Sequence, residues 1–71
     1  MKRFLRYSRE KERKIRAVMQ LDGQMVQRTL LVLSEDETGV TGLVGAKKKP
    51  QHVPYEDIFS CDYARGDHGE E

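Results

Sequence analysis

The clearest pattern in the sequence is an alternation of apolar and polar positions from Ile15 to Leu21. The odd-numbered residues are apolar and, apart from Val18, the even-numbered ones are polar. Successive side chains of a strand point to opposite faces, so this period of two predicts a strand with one buried face. Asp22-Gly23 follows directly and suits the positive φ angles of a two-residue type I′ turn. Because a second β-rich run, Met25 to Leu33, comes next, the sequence predicts a β-hairpin.

The second run is apolar at most of its consecutive positions between 29 and 33. A strand that is apolar on both faces is expected to bend and to contribute to two packed layers of a small barrel. Three more strands follow in the prediction, separated by turns. A polar loop spans Ser34 to Gly39, and the third strand spans Val40 to Ala46. A turn at Lys47 to Pro50 leads to the fourth strand, Gln51 to Val53. A single 3₁₀ turn at Pro54 to Ile58 then precedes the fifth strand, Phe59 to Tyr63.

The two ends of the chain lack the period of two. Residues 3–13 are predicted to form a short helix that Phe4 and Leu5 anchor to the sheet. The alternative is an extended arm, in which Ser8 is an N-cap and a helix begins only at Arg9. Residues 64–71 carry no large apolar side chain and are predicted to be a disordered acidic tail. Residues 1–63 then make up the one folded domain.

Length and cysteine content limit the domain size and the cellular compartment that the sequence predicts. A chain of 71 residues has room for one small domain with a marginal core. Its single cysteine, Cys61, excludes an internal disulfide and fits a reducing compartment. The N-terminus is charged, and no stretch approaches the ~20 apolar residues of a membrane span. These features predict a cytoplasmic protein without a membrane partner.

Charge is unevenly distributed although the net charge is only +1. Residues 1–16 carry eight lysines or arginines and two glutamates, whereas residues 55–71 carry one arginine and six acidic residues. Cations interleaved with an aromatic ring are typical of nucleic-acid binding. Exposed charges at strand ends also serve solubility and discourage edge-to-edge pairing, which is the alternative interpretation. The candidate nucleic-acid-binding residues are Arg3, Arg6, Tyr7, Arg9, Lys47, Lys48, Lys49 and Arg65.

The predicted order of elements resembles the Sm-like and SH3-like small barrels, with an N-terminal helix, five strands and a 3₁₀ turn before the last strand. Leu21-Asp22-Gly23 is similar to the end of the first Sm strand, and the run from Val53 to Ile58 resembles WYL-type and YolD-like proteins. Arg65-Gly66-Asp67 matches the arginine triplet of the second Sm motif. The resemblance implies a barrel, a binding role and a DNA-repair or regulatory setting. The asparagine of the first Sm motif has no counterpart between Ser34 and Gly39, so that contact does not transfer.

No motif in the chain indicates catalysis. His52 has no nucleophile placed beside it by sequence, and Cys61 is expected to be a buried, inert thiol on the same face as Phe59 and Tyr63. Acidic and histidine residues between 67 and 71 are more typical of a solvated tail than of a metal site. The chain is therefore predicted to be non-enzymatic, with no cofactor and no metal.

Two functions fit these observations. The first is a protein-binding module, a regulatory accessory protein that docks through an open strand edge or its basic N-terminus. The second is an Sm-like protein that binds RNA or single-stranded DNA. Unpaired strand edges also allow a homo-oligomer.

Overall fold

The computed structural model of the protein describes residues 2–66. These residues form one α-helix, five β-strands and a 3₁₀ turn. In chain order the elements are α1 (Lys2–Lys11), β1 (Ile15–Leu21), β2 (Gln24–Glu35), β3 (Gly39–Val44), β4 (Gln51–Pro54), the 3₁₀ turn (Tyr55–Asp57) and β5 (Ile58–Tyr63). The fold is therefore mainly β, with the predicted helix at its N-terminus.

All five strands belong to one antiparallel sheet with the order β4-β3-β2-β1-β5. The sheet is open in its hydrogen bonding, so β4 and β5 are its two edges. The structure confirms the five antiparallel strands, while closure into a barrel stays a prediction. The predicted disordered tail lies mostly outside the described residues, where only residues 64–66 continue the chain after β5.

The β1–β2 hairpin forms as the sequence predicts. Leu21 pairs with Gln24, which leaves a two-residue loop. Its residues Asp22 and Gly23 have φ angles of 51° and 78°, as a type I′ turn requires. The odd-numbered residues of β1 face the core, and Ile15 and Met19 are fully buried. The alternation of β1 therefore identifies the buried face of the sheet.

β2 continues well beyond the end of β1. The β1 pairing stops at Leu30, whereas β2 runs on to Glu35 beside β3. Gly42 of β3 allows the close approach, because a Cβ there would lie 2.3 Å from the Leu31 carbonyl oxygen. A register shift follows Val32, and Leu33 is 47% exposed. The expectation that β2 buries both faces is wrong at Leu33.

The uncovered edge of β2 is closed by the helix. Ser8 is fully buried, and its Oγ accepts a hydrogen bond of 2.9 Å from the Val32 backbone N–H. The same hydroxyl donates to the Arg13 carbonyl oxygen at 2.6 Å. Leu5, also fully buried, anchors the helix to the core as predicted. Since Ser8 lies within the helix, the alternative of an extended arm with Ser8 as N-cap is wrong.

The helix ends earlier than predicted, at Lys11 instead of Arg13. Glu12 takes a left-handed conformation with a φ of 55°. The Arg13 N–H donates to the Ser8 carbonyl oxygen at 3.1 Å. This six-to-one hydrogen bond past a left-handed residue is the Schellman ending of a helix. Glutamate occupies the position where glycine is the commonest residue.

The fifth strand corrects the predicted placement of Phe59. Val18 pairs with Ser60 and Met19 with Ile58, so the ladder skips Phe59 at a bulge. The Phe59 side chain is 45% exposed, and Ile58 takes the core position. The strand therefore begins one residue earlier than predicted. β3 is shorter than predicted, because the chain leaves it after Val44.

Removal of the Ser8 hydroxyl tests the closure of the β2 edge. Ser8→Ala is expected to lower the free energy of unfolding by about 1–3 kcal/mol, because it leaves the buried Val32 N–H without an acceptor. The measurement is chemical denaturation followed by circular dichroism. Ser34→Ala, at an exposed serine of the same strand, is the matched control and should change stability by less than about 0.5 kcal/mol. Equal effects of the two substitutions would contradict this account of the edge.

The left-handed conformation of Glu12 predicts a substitution that raises the free energy of unfolding instead of lowering it. Glu12→Gly is expected to raise the free energy of unfolding by up to about 1 kcal/mol, since glycine adopts a positive φ without steric cost. Glu10→Gly, the same substitution inside the helix, should lower it by about 1 kcal/mol. Thermal or urea denaturation of the natural protein and the two variants measures both changes in stability. A loss of stability in both variants would show that the helix does not end at Lys11 in solution.

Candidate binding surface

A groove opens at one end of the sheet, between the β1–β2 turn and the loop that joins β3 to β4. Its volume is about 250 Å³. Its lining mixes apolar and polar residues. We call the four apolar residues its floor and the three charged residues its rim, and Gln24 and Gly45 complete the lining. The floor residues are Leu21, Val26, Val44 and Ala46, and the rim residues are Asp22, Arg28 and Lys47. We call this the turn–loop groove.

Arg28 reaches the groove from the inner face of the sheet. It pairs with Ala17, which is buried, and residues directly opposite each other in a ladder share a face. From this face the long arginine side chain reaches the groove that it lines. A Cβ at Gly45 would lie 3.7 Å from the Arg28 Cδ, which shows how closely the stem passes. The guanidinium Nη1 donates to the Gln27 carbonyl oxygen at 2.9 Å.

The other side of the groove is the β3–β4 loop. It turns at Gly45, whose φ is 58°, and the Gly45 N–H donates to the Thr29 carbonyl oxygen at 2.8 Å. The Lys47 N–H donates to the Val44 carbonyl oxygen at 3.1 Å. The first bond holds the start of the loop against β2, and the second closes a turn at the end of β3. Lys48 and Lys49 continue it as exposed residues.

Most cations of the helix have partners within the protein. Arg9 donates to Glu35 at 2.9 Å, and the Arg3 guanidinium lies 4.8 Å from the centre of the Phe4 ring. Lys2 Nζ lies 5.0 Å from the centre of the Tyr55 ring. Tyr7 packs edge-on against Tyr63, with ring centres 5.2 Å apart. Tyr7 is therefore half-buried within the fold instead of presenting a free stacking face.

The predicted nucleic-acid-binding residues do not come together in one place. Of the predicted set only Lys47 lines the turn–loop groove, and Lys48 and Lys49 follow it in the loop. Arg6 is exposed on the helix, and Arg65 is exposed after β5. None of the helix cations lines the groove. The set divides into a helix group, a loop group and Arg65.

Two other depressions are weaker candidates. One, of about 200 Å³, lies on the outer face of β1 and β5, where Arg16 donates to the Tyr63 carbonyl oxygen at 2.9 Å. The other, of about 270 Å³, lies beside Leu31 and Leu33, where Arg9 is held by Glu35. In both places the cation is paired with a carboxylate, Asp62 beside Arg16 and Glu35 beside Arg9. The turn–loop groove differs because no carboxylate of the described residues pairs with Arg28 or Lys47.

The opposite end of β3 is acidic. Asp36 organises the β2–β3 loop, because its Oδ1 accepts from the Thr38 N–H and hydroxyl, each at 2.7 Å, and from the Gly39 N–H at 3.0 Å. These hydrogen bonds lower the pKa of the Asp36 carboxyl to about 2. The Tyr55 N–H donates to the Thr38 carbonyl oxygen at 3.0 Å, which ties the 3₁₀ turn to this loop. Burial, followed by the charges of Glu35 and Asp36, raises the Tyr55 pKa.

His52 lies beside this loop in an arrangement that differs from a catalytic triad. Its Nε2 is 3.1 Å from the Thr38 hydroxyl and 3.7 Å from the Asp36 Oδ2. A triad needs the hydroxyl and the carboxylate on different ring nitrogens, whereas both approach the same nitrogen here. The three side chains therefore form a polar link between the β2–β3 loop and β4.

The remaining candidate residues carry no assembled chemistry. Burial raises the pKa of the Cys61 thiol to about 11, so the thiolate is disfavoured. Within residues 2–66 no three histidine, cysteine, aspartate or glutamate side chains are grouped to hold a metal ion. The acidic and histidine residues at 67–71 lie outside the described residues. The helix that the structure describes is too short and polar to cross a membrane.

Comparisons of the chain with protein-family profiles, curated proteins and solved structures give no match.

Sequence reasoning missed Arg28 as a binding residue. The signal was present in the hairpin, because a two-residue turn pairs even-numbered residues of β2 with odd-numbered residues of β1. Val26, Arg28 and Leu30 therefore share the inner face, and Arg28 is a charged residue within an otherwise apolar series. Its role in the groove depends on the position of the β3–β4 loop, which no local pattern specifies.

The lowered pKa of Asp36 predicts a dependence of stability on pH. The folded pKa lies below the ordinary value of 3.8, so this carboxylate contributes stability above pH 3.8 and loses it as the pH falls toward 2. Denaturation between pH 5 and 2 should show the stability advantage of the natural protein over Asp36→Asn shrinking across that window. Glu37→Gln removes one negative charge from the same loop without touching these hydrogen bonds and controls for general electrostatics. An advantage that stays constant from pH 5 to 2 would contradict the assignment.

Proposed function

We propose that the protein is a non-enzymatic binding module that recognises a protein partner and acts as a regulatory accessory protein in the cytoplasm. We further propose that its sheet is a small barrel of the SH3-like or Sm-like type. The observed strand order, the N-terminal helix and the 3₁₀ turn directly before β5 support this type of fold. The single cysteine is in keeping with a reducing compartment.

The observation that carries the proposal is the turn–loop groove. It combines an apolar floor with cations that have no carboxylate partner among the described residues. Ligand sites are typically concave and apolar with a few placed polar groups, and the mouth of a small barrel is one of their usual locations. At about 250 Å³ the groove accommodates side chains of a peptide segment more readily than a large cofactor.

The two sheet edges are less suited to a partner than the groove. β4 has four residues and ends in Pro54, which has no backbone N–H to donate. At the end of β5, the Tyr63 N–H donates to Asp62 Oδ1 at 2.7 Å and the Tyr63 carbonyl oxygen accepts from Arg16. These features shorten or cap an edge and discourage strand addition. They favour docking in the groove over docking or self-association along an edge.

Nucleic-acid binding is the alternative function, supported by the exposed lysines of the β3–β4 loop. Affinity for a phosphate backbone grows with the number of cations that engage it together. The predicted cations are dispersed, and Tyr7 packs within the fold. An acidic loop at the far end of β3 would also repel a long polyanion. A protein partner therefore accounts better for the surface.

Selection from a random peptide library displayed on phage tests the protein-binding function. Selection against the full chain is expected to enrich peptides whose binding perturbs the amide resonances of Val26, Arg28 and Lys47. Arg28→Ala should weaken these peptides at least about tenfold, the loss expected for one charged contact. Arg6→Ala, at an exposed arginine of the helix, is the matched control and should leave their affinity unchanged.

Two outcomes would overturn the proposal. One is enrichment of peptides that bind outside the groove, or no enrichment. The other is tight binding of a single-stranded oligonucleotide whose affinity collapses between about 50 and 200 mM salt with a slope of several units, which would establish the nucleic-acid alternative.

A further inference from the structure

We propose that the turn–loop groove is selective for an acidic–hydrophobic peptide segment, in which an aliphatic or aromatic side chain is flanked by carboxylates. This inference rests on the proposed protein-binding function and names the chemistry of the partner. The apolar side chain would enter the floor, and the carboxylates would meet the cations of the rim.

The floor requires an apolar group. Leu21 and Val26 are half-buried at the margin of the core, whereas Val44 is almost completely buried. An apolar side chain placed there would cover surface that the fold leaves open to water, at roughly 25 cal/mol for each Å² removed. A purely ionic ligand would leave this surface uncovered and would gain nothing from it.

The rim requires negative charge. Arg28 comes from β2 on one side, and Lys47 begins the lysine run on the other, so cations flank the floor from two elements. Lys48 and Lys49 extend the positive charge along the loop, against the single negative charge of Asp22 at the turn. Within residues 2–66, no carboxylate pairs with any of these four cations. The rim is therefore complementary to a ligand with more than one carboxylate.

The groove is better suited to carboxylates on a peptide than to a nucleic acid. The described residues that line it include no aromatic ring on which a base could stack. Asp22 would repel a continuous phosphate backbone, while a peptide can place neutral groups beside it. A peptide carboxylate can accept two parallel hydrogen bonds from the guanidinium of Arg28.

Charge at the other end of β3 gives the bound segment a preferred placement. Asp36 and Glu37 lie at the opposite end of this six-residue strand from the lysine loop, about 17 Å away at the usual rise of a strand. Their negative charge disfavours an acidic partner that extends in that direction. The segment should therefore run from the β1–β2 turn across the lysine loop.

Titration with matched synthetic peptides tests the inference. The first peptide alternates glutamate with leucine, the second replaces each leucine with serine, and the third replaces each glutamate with lysine. Binding to the isotope-labelled full chain is followed by nuclear magnetic resonance. We expect the first peptide to shift the amides of Val26, Arg28, Val44 and Lys47, and the other two to bind at least about tenfold more weakly. The affinity of the first peptide should fall with added salt but should not be lost, because salt screens the ionic contacts and does not screen the apolar contact.

Charge reversal in the protein supplies the second test. Lys47→Glu is expected to weaken the glutamate–leucine peptide at least about tenfold, and Lys47→Gln by a smaller factor. Lys14→Glu changes the net charge equally at a residue between α1 and β1 that does not line the groove, so it should have less than about a twofold effect. An amide spectrum of each variant establishes that it is folded before its affinity is compared.

The possible results separate this inference from the function on which it rests. Equal binding of a neutral or lysine-rich peptide in the groove would overturn the selectivity and leave the protein-binding function standing. Peptide binding at another surface, or no binding of any peptide, would overturn both. Displacement of the peptide by a thymidine dodecamer at equal affinity would show that the site recognises charge alone, which also overturns the inference.

Discussion

The hydrogen bonds of the Ser8 hydroxyl are the constraint on which the rest of the fold depends. β2 is longer than β1, so part of its edge would otherwise face the core side of the molecule without a partner strand. A backbone N–H buried without an acceptor is costly, and the serine of the helix supplies that acceptor at Val32. The same residue ends the helix through its carbonyl oxygen. One side chain and its backbone thus join the helix, its termination and the longest strand.

The groove is a second consequence of the length of β2. Its first half pairs with β1, and its second half pairs with β3, so the strand carries the chain from one part of the sheet to the other. The β3 pairing begins at Leu30, so the β3–β4 loop passes beside the first half of β2, where the Gly45 N–H donates to the Thr29 carbonyl oxygen. Arg28 lies next to that contact, on the face that it shares with buried Ala17. The placement of one charged residue on an inner face therefore follows from the register of the hairpin.

Local patterns were sufficient to predict the hairpin and the 3₁₀ turn. Alternation and an Asp-Gly pair act within a few residues, so Ile15–Leu21 and its turn could be read directly. The bulge at Phe59 could not, because it depends on the pairing of β5 with a strand about forty residues away. The same reason explains the dispersal of the basic residues. Charge counted along the chain says nothing about partners such as Glu35, which holds Arg9 across the fold. The left-handed conformation of Glu12 at the end of the helix could not be predicted either, because glutamate seldom adopts a positive φ.

The contacts of the helix determine when it is secured during folding. Phe4 and Tyr7 pack against Tyr63, and Ser8 bonds to β2, so the helix depends on residues that lie far from it in the sequence. A polar helix of ten residues is not stable alone. Its rings at Phe4 and Tyr7 therefore stay uncovered until Tyr63 reaches them. The helix and β5 secure each other late in folding, because a contact between distant segments forms only after the sheet has brought them together.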